Sequence, residues 1–314
     1  MFEKQYKCPV PTYDFIDILV VGCGGTGSHV ASSLARMLYD FRTRNNRTTV
    51  DLTLVDHDLV EEGNVGRQLF SHVEIGRNKA VTLAQRLNGW LGLDIAAVPF
   101  SVPDAWMVAN LDQKVSERMG KGRSAVILVG CVDNPTARKH IAQKMYSLGI
   151  FEDTWYIDAG NDYQTGQVLI GNMPNRRKGK VNISGMGLVN NLPAPFVQMP
   201  DLLDEDSTNT ELPGCTLATV TGEQSLFINQ YVSSAVTKLV YDMLYLSELH
   251  QMGMWINSGE TYQVNSIPIT ESNLTHCVGT YNEEYCDSEP IELEVIDHEK
   301  STSTSATKNE GETG

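Results

Sequence analysis

Residues Phe15–Val21 read Phe-Ile-Asp-Ile-Leu-Val-Val, a short run that is apolar except for one aspartate. Apolar residues at consecutive positions over that length predict a strand buried on both faces. Gly22-Cys23-Gly24-Gly25-Thr26-Gly27 follows at once, and Val30, Leu34 and Leu38 then recur at helical spacing. This is the order strand, glycine turn, helix. A second β-rich run at 50–55 ends at Asp56, and helical spacing returns over 79–91. Further strands are predicted at 94–100 and at the apolar run 125–130, with a helix over 136–148. Short strands follow at 155–158 and 167–170. Strands alternating with helices predict an α/β fold, a doubly wound, Rossmann-like and mostly parallel sheet.

The pattern changes over 172–214, where Pro, Gly and Asn interrupt it and an acidic cluster occupies 201–206. A connection this long is expected to be a functional, mobile crossover loop. A long helix is predicted over 222–249 and short strands over 255–269. After Pro290 the composition turns to Glu, Ser, Thr and Lys, which predicts a disordered acidic tail. The expected division is therefore one domain over 1–250, a short β extension over 251–290 and a tail over 291–314.

Length and charge narrow the classes. The chain has 314 residues, 41% of them hydrophobic, enough for a sizeable core. A net charge of −15 disfavours phosphate backbones, so direct nucleic acid binding is not expected. No apolar run approaches the roughly 20 residues that span a bilayer. The start of the chain lacks the apolar segment of a signal peptide, so a cytoplasmic protein without membrane association is expected. Cys8, Cys23, Cys131, Cys215, Cys277 and Cys286 form no C-x-x-C pair, which argues against a zinc ribbon. Cys131 directly follows an apolar strand and reads as core.

The glycine turn carries the first chemistry. Glycines let the backbone approach a phosphate closely, and the following helix offers unpaired N–H groups and a partial positive charge. Asp56, at the tip of the second strand, suits ribose hydroxyls. The same start serves hydride-transfer enzymes, and such a turn can also serve helix–sheet packing alone. Arg67 and Lys79, close behind Asp56, distinguish the cases: a planar fork and a point charge fit a triphosphate better than a dinucleotide pyrophosphate.

At these residues the chain resembles the ThiF/MoeB and ubiquitin-activating-enzyme superfamily. The matching blocks are Gly22-Cys23-Gly24-Gly25-Thr26-Gly27-Ser28, Asp56-His57-Asp58-Leu59-Val60, Asn64-Val65-Gly66-Arg67-Gln68 and Gly76-Arg77-Asn78-Lys79. Cys131-Val132-Asp133-Asn134 with Arg138 completes the series, in the family's order. Gly160-Asn161, Thr165-Gly166-Gln167-Val168 and Leu226-Phe227-Ile228-Asn229-Gln230 are most similar to the PRTRC branch of ThiF proteins. The resemblance implies ATP- and Mg2+-dependent adenylation of the C-terminal carboxylate of a ubiquitin-like or sulfur-carrier protein ending in glycine. It implies that Gly22, Gly24, Gly25 and Gly27 receive phosphates and that Asp56 holds the ribose. Asn64, Arg67, Gln68 and Lys79 would complete the nucleotide site, and Asp133 would hold magnesium at the α-phosphate.

Pro213-Gly214-Cys215-Thr216 resembles the motif around the thioester-forming cysteine of ubiquitin-activating enzymes. A thiol near the start of a long helix has more thiolate character, so Cys215 is a candidate nucleophile. Its alternative is a small apolar packing residue. Residues 1–21 contain no arginine of the kind many members place in a partner's ATP site. That absence motivates a second reading, a non-catalytic nucleotide-binding scaffold within an activating complex. The apolar residues Ile228, Val232, Val236, Leu239, Val240 and Met243 cover more than one stripe of their helix, which predicts a homodimer contact there, with burial in the chain's own core as the alternative.

Overall fold

The computed structural model describes residues 3–44, 47–102, 104–109, 111–118, 120–148, 153–172, 180–184, 186–204, 226–284 and 292–296. A short strand β1 (Cys8–Pro9) precedes β2 (Phe15–Val21), α1 (Gly25–Arg44), β3 (Thr49–Val55), α2 (Lys79–Leu91) and β4 (Ala96–Val98). Then come α3 (Asp104–Val108), α4 (Leu111–Arg118), β5 (Ser124–Gly130), α5 (Pro135–Leu148), β6 (Asp153–Asn161) and β7 (Thr165–Gly171).

The apolar runs form strands because they are buried on both sides. In β2, Ile16, Ile18 and Val20 enter one core with α1 and α2, while Leu19 and Val21 enter a second with α3 and α5. In β5, Ala125, Ile127 and Val129 alternate with Val126 and Leu128 in the same way. Asp17, the polar exception in β2, is buried and paired with Arg118 of α4 and, at 3.5 Å, with Lys114. That pairing pins α4 to the sheet edge, since a lone buried carboxylate would be costly.

The strands β4, β3, β2, β5 and β6 lie side by side and parallel. β2 is the first of them in the chain and sits between β3 and β5, so the winding reverses at β2 and β5. In open α/β sheets the crevice at the carboxyl ends of such strands is where ligands bind.

The segment after β7 holds more regular structure than a crossover loop: β8 (Lys180–Ser184), β9 (Leu188–Val189) and α6 (Pro195–Gln198). The reason is apolar: Val181, Ile183, Val189, Leu192, Ala194, Phe196 and Val197 are all buried. α7 (Leu226–Tyr241) closes with a π turn over 242–246 and is followed by β10 (Glu248–Leu249), β11 (Gln251–Asn257), β12 (Gln263–Pro268) and α8 (Glu271–Glu284). β7, β11 and β12 are antiparallel and complete an eight-stranded sheet, so the two strands of the expected extension over 251–290 join the central sheet.

Within the expected disordered tail, β13 (Glu292–Ile296) pairs in parallel with β8. Its alternating sequence Glu-Leu-Glu-Val-Ile has the period of a half-buried strand, which outweighs the acidic composition. The remaining tail lies outside the described residues. In α7, Ile228, Val232, Val236, Leu239 and Val240 are buried, with Met243 just beyond it. They pack against α1, β6, β7 and β11, so the face expected to make a dimer contact is consumed inside the chain. No helix among the described residues is long and apolar enough to cross a membrane.

Candidate functional site

The register of the sheet brings the predicted residues to one level. Val21 of β2 is opposite Val55 of β3 and Gly130 of β5, and Gly130 is opposite Asp158 of β6. The residues just beyond therefore share one edge: Gly22, Asp56 and Cys131. Backbone bonds lace them together, Gly22 N–H to the Val55 carbonyl at 2.9 Å and Cys131 N–H to the Val21 carbonyl at 2.7 Å.

Two glycines of the turn are required by geometry. Gly22 has φ of +90°, and a β-carbon there would lie 2.4 Å from the Cys131 carbonyl oxygen. A β-carbon on Gly27 would lie 1.8 Å from the Gly22 carbonyl oxygen. Gly24 differs, because a β-carbon there would meet only the Gln68 amide at 3.7 Å. Packing thus accounts for Gly22 and Gly27 but not for Gly24.

Asp56 fixes that turn. Its Oδ2 accepts the Cys23 N–H at 2.6 Å and its Oδ1 the Asp58 N–H at 2.8 Å. Burial, the largest influence, pushes its carboxyl above the ordinary value, against the pull of these bonds and of the Lys79 charge. Asn78 caps α2 by accepting the Val81 N–H at 3.0 Å and donates to the Asp56 carbonyl at 2.8 Å. Lys79, buried beside it, reaches Asp58 Oδ2 at 3.0 Å. Asp56, His57 and Asp58 bring ligating atoms within 4.8 Å of one another. Their carboxylates already serve two backbone amides and Lys79.

The block 64–70 straps the start of α1. Leu69 N–H donates to Ser28 Oγ at 3.3 Å, and Gln68 faces Gly24. The buried Oε1 of Gln68 has no hydrogen-bond partner among the described residues. Asn64 is buried and accepts the Glu61 N–H at 2.9 Å, which leaves its amide N–H groups to donate elsewhere. Arg67 is exposed and donates from Nε to the Gly63 carbonyl at 2.9 Å. Asp133 stands exposed beyond β5, where the Asn134 amide approaches its Oδ1 at 3.4 Å.

Residues 14–278 match the ThiF family. The chain belongs to that family. Among solved structures, this ThiF chain is similar to E. coli MccB with ATP, at 15% identity and a TM-score of 0.49. It is also similar to E. coli MccB with AMPCPP and MccA, at 13% identity and a TM-score of 0.48, and to PaaA, at 16% and 0.47. In each case the likeness covers 81% of this chain and 64% of the other, so the chain spans less than two thirds of those proteins. No curated protein matches it.

Cys215 lies outside the described residues of the ThiF chain. Among the described residues the thiols behave as packing groups: burial alone pushes Cys8 up to about 12, and Cys277 is pushed to about 11, burial again leading. Cys131, raised too, is mainly a buried group beside Asp158.

Sequence reasoning did not join two polar networks. Thr26 Oγ1 lies 2.7 Å from Asn161 Oδ1 and 2.9 Å from Asn229 Oδ1, tying the glycine turn to β6 and α7. Asp158 is fully buried and its Oδ2 accepts from Tyr156 at 2.5 Å and from Arg138 Nε at 3.0 Å. The available signal was Asp158 itself, an ionisable residue directly after the apolar run 155–157.

Proposed function

We propose that this ThiF chain transfers the adenylyl group of ATP to a carboxylate, the C-terminal carboxylate of a small ubiquitin-like protein ending in glycine. The observation that carries the reading is Gly24: packing leaves it unexplained, and it sits at a helix N-terminus between Asp56 and the Gln68 strap. That arrangement suits a phosphate chain laid on the turn, with the ribose at Asp56.

Each residue then has a defined task. The N–H groups at the start of α1 receive phosphate oxygens, and the free amide of Asn64 and the fork of Arg67 add donors. Lys79 exchanges Asp58 for a phosphate. Asp56 keeps its two backbone bonds and offers its remaining lone pairs to ribose hydroxyls. Asp133 fits a magnesium ion, because its oxygens meet only the Asn134 amide among the described residues and oxygen ligands are what this ion takes. When bound, that ion offsets phosphate charge in the transition state.

The reaction balances without a base. A carboxylate is already ionised near neutral pH. One of its oxygens bonds the α-phosphorus, the bond to the β-phosphate oxygen breaks, and pyrophosphate leaves with the electron pair. The protein supplies position and charge. We further place the chain in the PRTRC branch and assign Cys215 the following step, in which its thiolate takes the acyl group and releases AMP. Self-association remains part of this reading, through a surface other than α7.

Product analysis tests it. With ATP, magnesium and the Gly-terminated protein, label in the α-phosphate should appear in AMP and in an acyl-linked adenylate. Label in the γ-phosphate should appear in pyrophosphate. Release of ADP and phosphate would contradict the reading.

A further inference from the structure

Gly160 and Gln167 belong to blocks that the nucleotide site does not use, and they are direct neighbours on β6 and β7. A β-carbon on Gly160 would lie 2.5 Å from Gln167 Nε2 and 3.2 Å from Arg138 Nη2. An amide nitrogen of Gln167 and a guanidinium nitrogen of Arg138 thus converge over the bare backbone of Gly160. Arg138 is 9% exposed, and among the described residues its side chain makes a single hydrogen bond, from Nε to Asp158. Its two terminal nitrogens have no such partner there. What pairs best with the fork of a guanidinium is a planar anion with two oxygens.

Two features place this fork next to the proposed chemistry. Arg138 lies one turn into α5, and its N–H bonds the Asn134 carbonyl, so it is tied to the loop carrying Asp133. Burial opposes the Arg138 charge, yet the Asp158 carboxylate, which also accepts its hydrogen bond, and Asp133 outweigh it and hold the guanidinium protonated. Asp158, bonded by Tyr156 as well, fixes the direction of the fork.

We infer that Arg138 and Gln167, over the bare backbone of Gly160, form the seat for the attacking carboxylate. The seat rests on the adenylation reading for the identity of that carboxylate. A carboxylate held there is anchored by charge-assisted bonds while it approaches the α-phosphate, which otherwise repels it. Glycine at 160 leaves room for the Gln167 amide beside Arg138. Asp158 and Tyr156 are positioning residues that act through Arg138.

The test uses the full chain labelled with 15N and two probes, a short peptide ending in Gly-Gly as the free acid and the same peptide as its C-terminal amide. The side-chain signals of Arg138 Nε and Gln167 report on the seat directly. The acid should move both signals and bind about tenfold more tightly than the amide, the scale of a charge-assisted hydrogen bond. Gln167→Leu should reduce that preference severalfold while leaving ATP affinity unchanged, and Gly160→Ala should do the same by pushing the Gln167 amide aside. Arg138→Gln should abolish it. Gln167→Leu keeps the test decisive if Arg138→Gln fails to fold, because Gln167 makes no buried ion pair. Equal binding of acid and amide by the wild type, or a preference that survives in Gln167→Leu and Gly160→Ala, would overturn the inference. Pyrophosphate exchange on the same preparations separates the two ideas. An acid-selective but exchange-inactive protein keeps the seat and removes adenylation. An exchange-active but unselective protein does the reverse.

Discussion

Two alanine substitutions three residues apart, at Gly24 and Gly27, should have opposite consequences, and the glycine turn shows why. In Gly27→Ala the new methyl would sit 1.8 Å from the Gly22 carbonyl oxygen and 2.8 Å from its carbon. The obstacles are backbone atoms, so either the turn or α1 must move. Overpacking of this kind costs about 1–3 kcal/mol, and a backbone obstacle puts it at the upper end. Ala is preferred to Gly inside a helix by at most about 1 kcal/mol, which leaves a net loss of roughly 2 kcal/mol. For a chain of this size that lowers Tm by on the order of 5 °C. In Gly24→Ala the methyl meets the Gln68 amide at 3.7 Å, an ordinary contact. Stability should change by less than about 1 kcal/mol. The same methyl stands where a phosphate must approach the backbone, so ATP affinity should fall about tenfold or more, equivalent to about 1.4 kcal/mol. Thermal unfolding by circular dichroism and ATP titration by calorimetry measure the two effects. If Gly24→Ala binds ATP as the wild type does, the phosphate assignment of the turn is wrong. If Gly27→Ala keeps the wild-type Tm, the packing argument is wrong.

Cys215→Ala should retain pyrophosphate exchange and lose any reducible adduct with the Gly-terminated protein, visible on non-reducing gels; a persistent adduct would move the nucleophile elsewhere. Burial holds the Cys8 thiol at about 12 in the folded chain, above its unfolded value, so the stability tied to its protonated form is complete below the unfolded value and lost as pH rises through the folded one. Urea midpoints measured from pH 8 to 11 should therefore fall, and fall less steeply in Cys8→Ala. Asp158→Ala strands the Arg138 guanidinium and should cost about 3–5 kcal/mol, the usual loss on breaking a buried pair. A near-wild-type urea midpoint for that variant would mean Arg138 has another anchor.

The parallel half of the sheet was legible because its strands are buried on both faces and therefore largely apolar. β2 and α2 begin and end where the pattern places them, since a glycine turn bounds one and the Asn78 cap and Gly92 bound the other. The segment after β7 was less legible. Its buried residues Val181 and Ile183 stand among Asn, Gly and Pro, whose turn signal is stronger locally than two apolar positions. Asp56, Lys79 and the glycines could be read because their spacing along the chain is short. The Thr26, Asn161 and Asn229 contact could not, because strand order and helix packing alone bring those residues together. The same holds for Arg138 and Gln167, whose meeting depends on the β6–β7 register.

The central claim is that this site forms an acyl-adenylate reversibly. The most direct measurement is exchange of labelled pyrophosphate into ATP by the purified chain, with magnesium and the Gly-terminated protein, in wild type and in Asp133→Ala. The account predicts exchange that requires that protein's free C-terminal carboxylate and disappears in Asp133→Ala, whose circular dichroism and Tm stay those of the wild type because Asp133 is exposed. Exchange that proceeds without a carboxylate substrate, or that survives in Asp133→Ala, would contradict it.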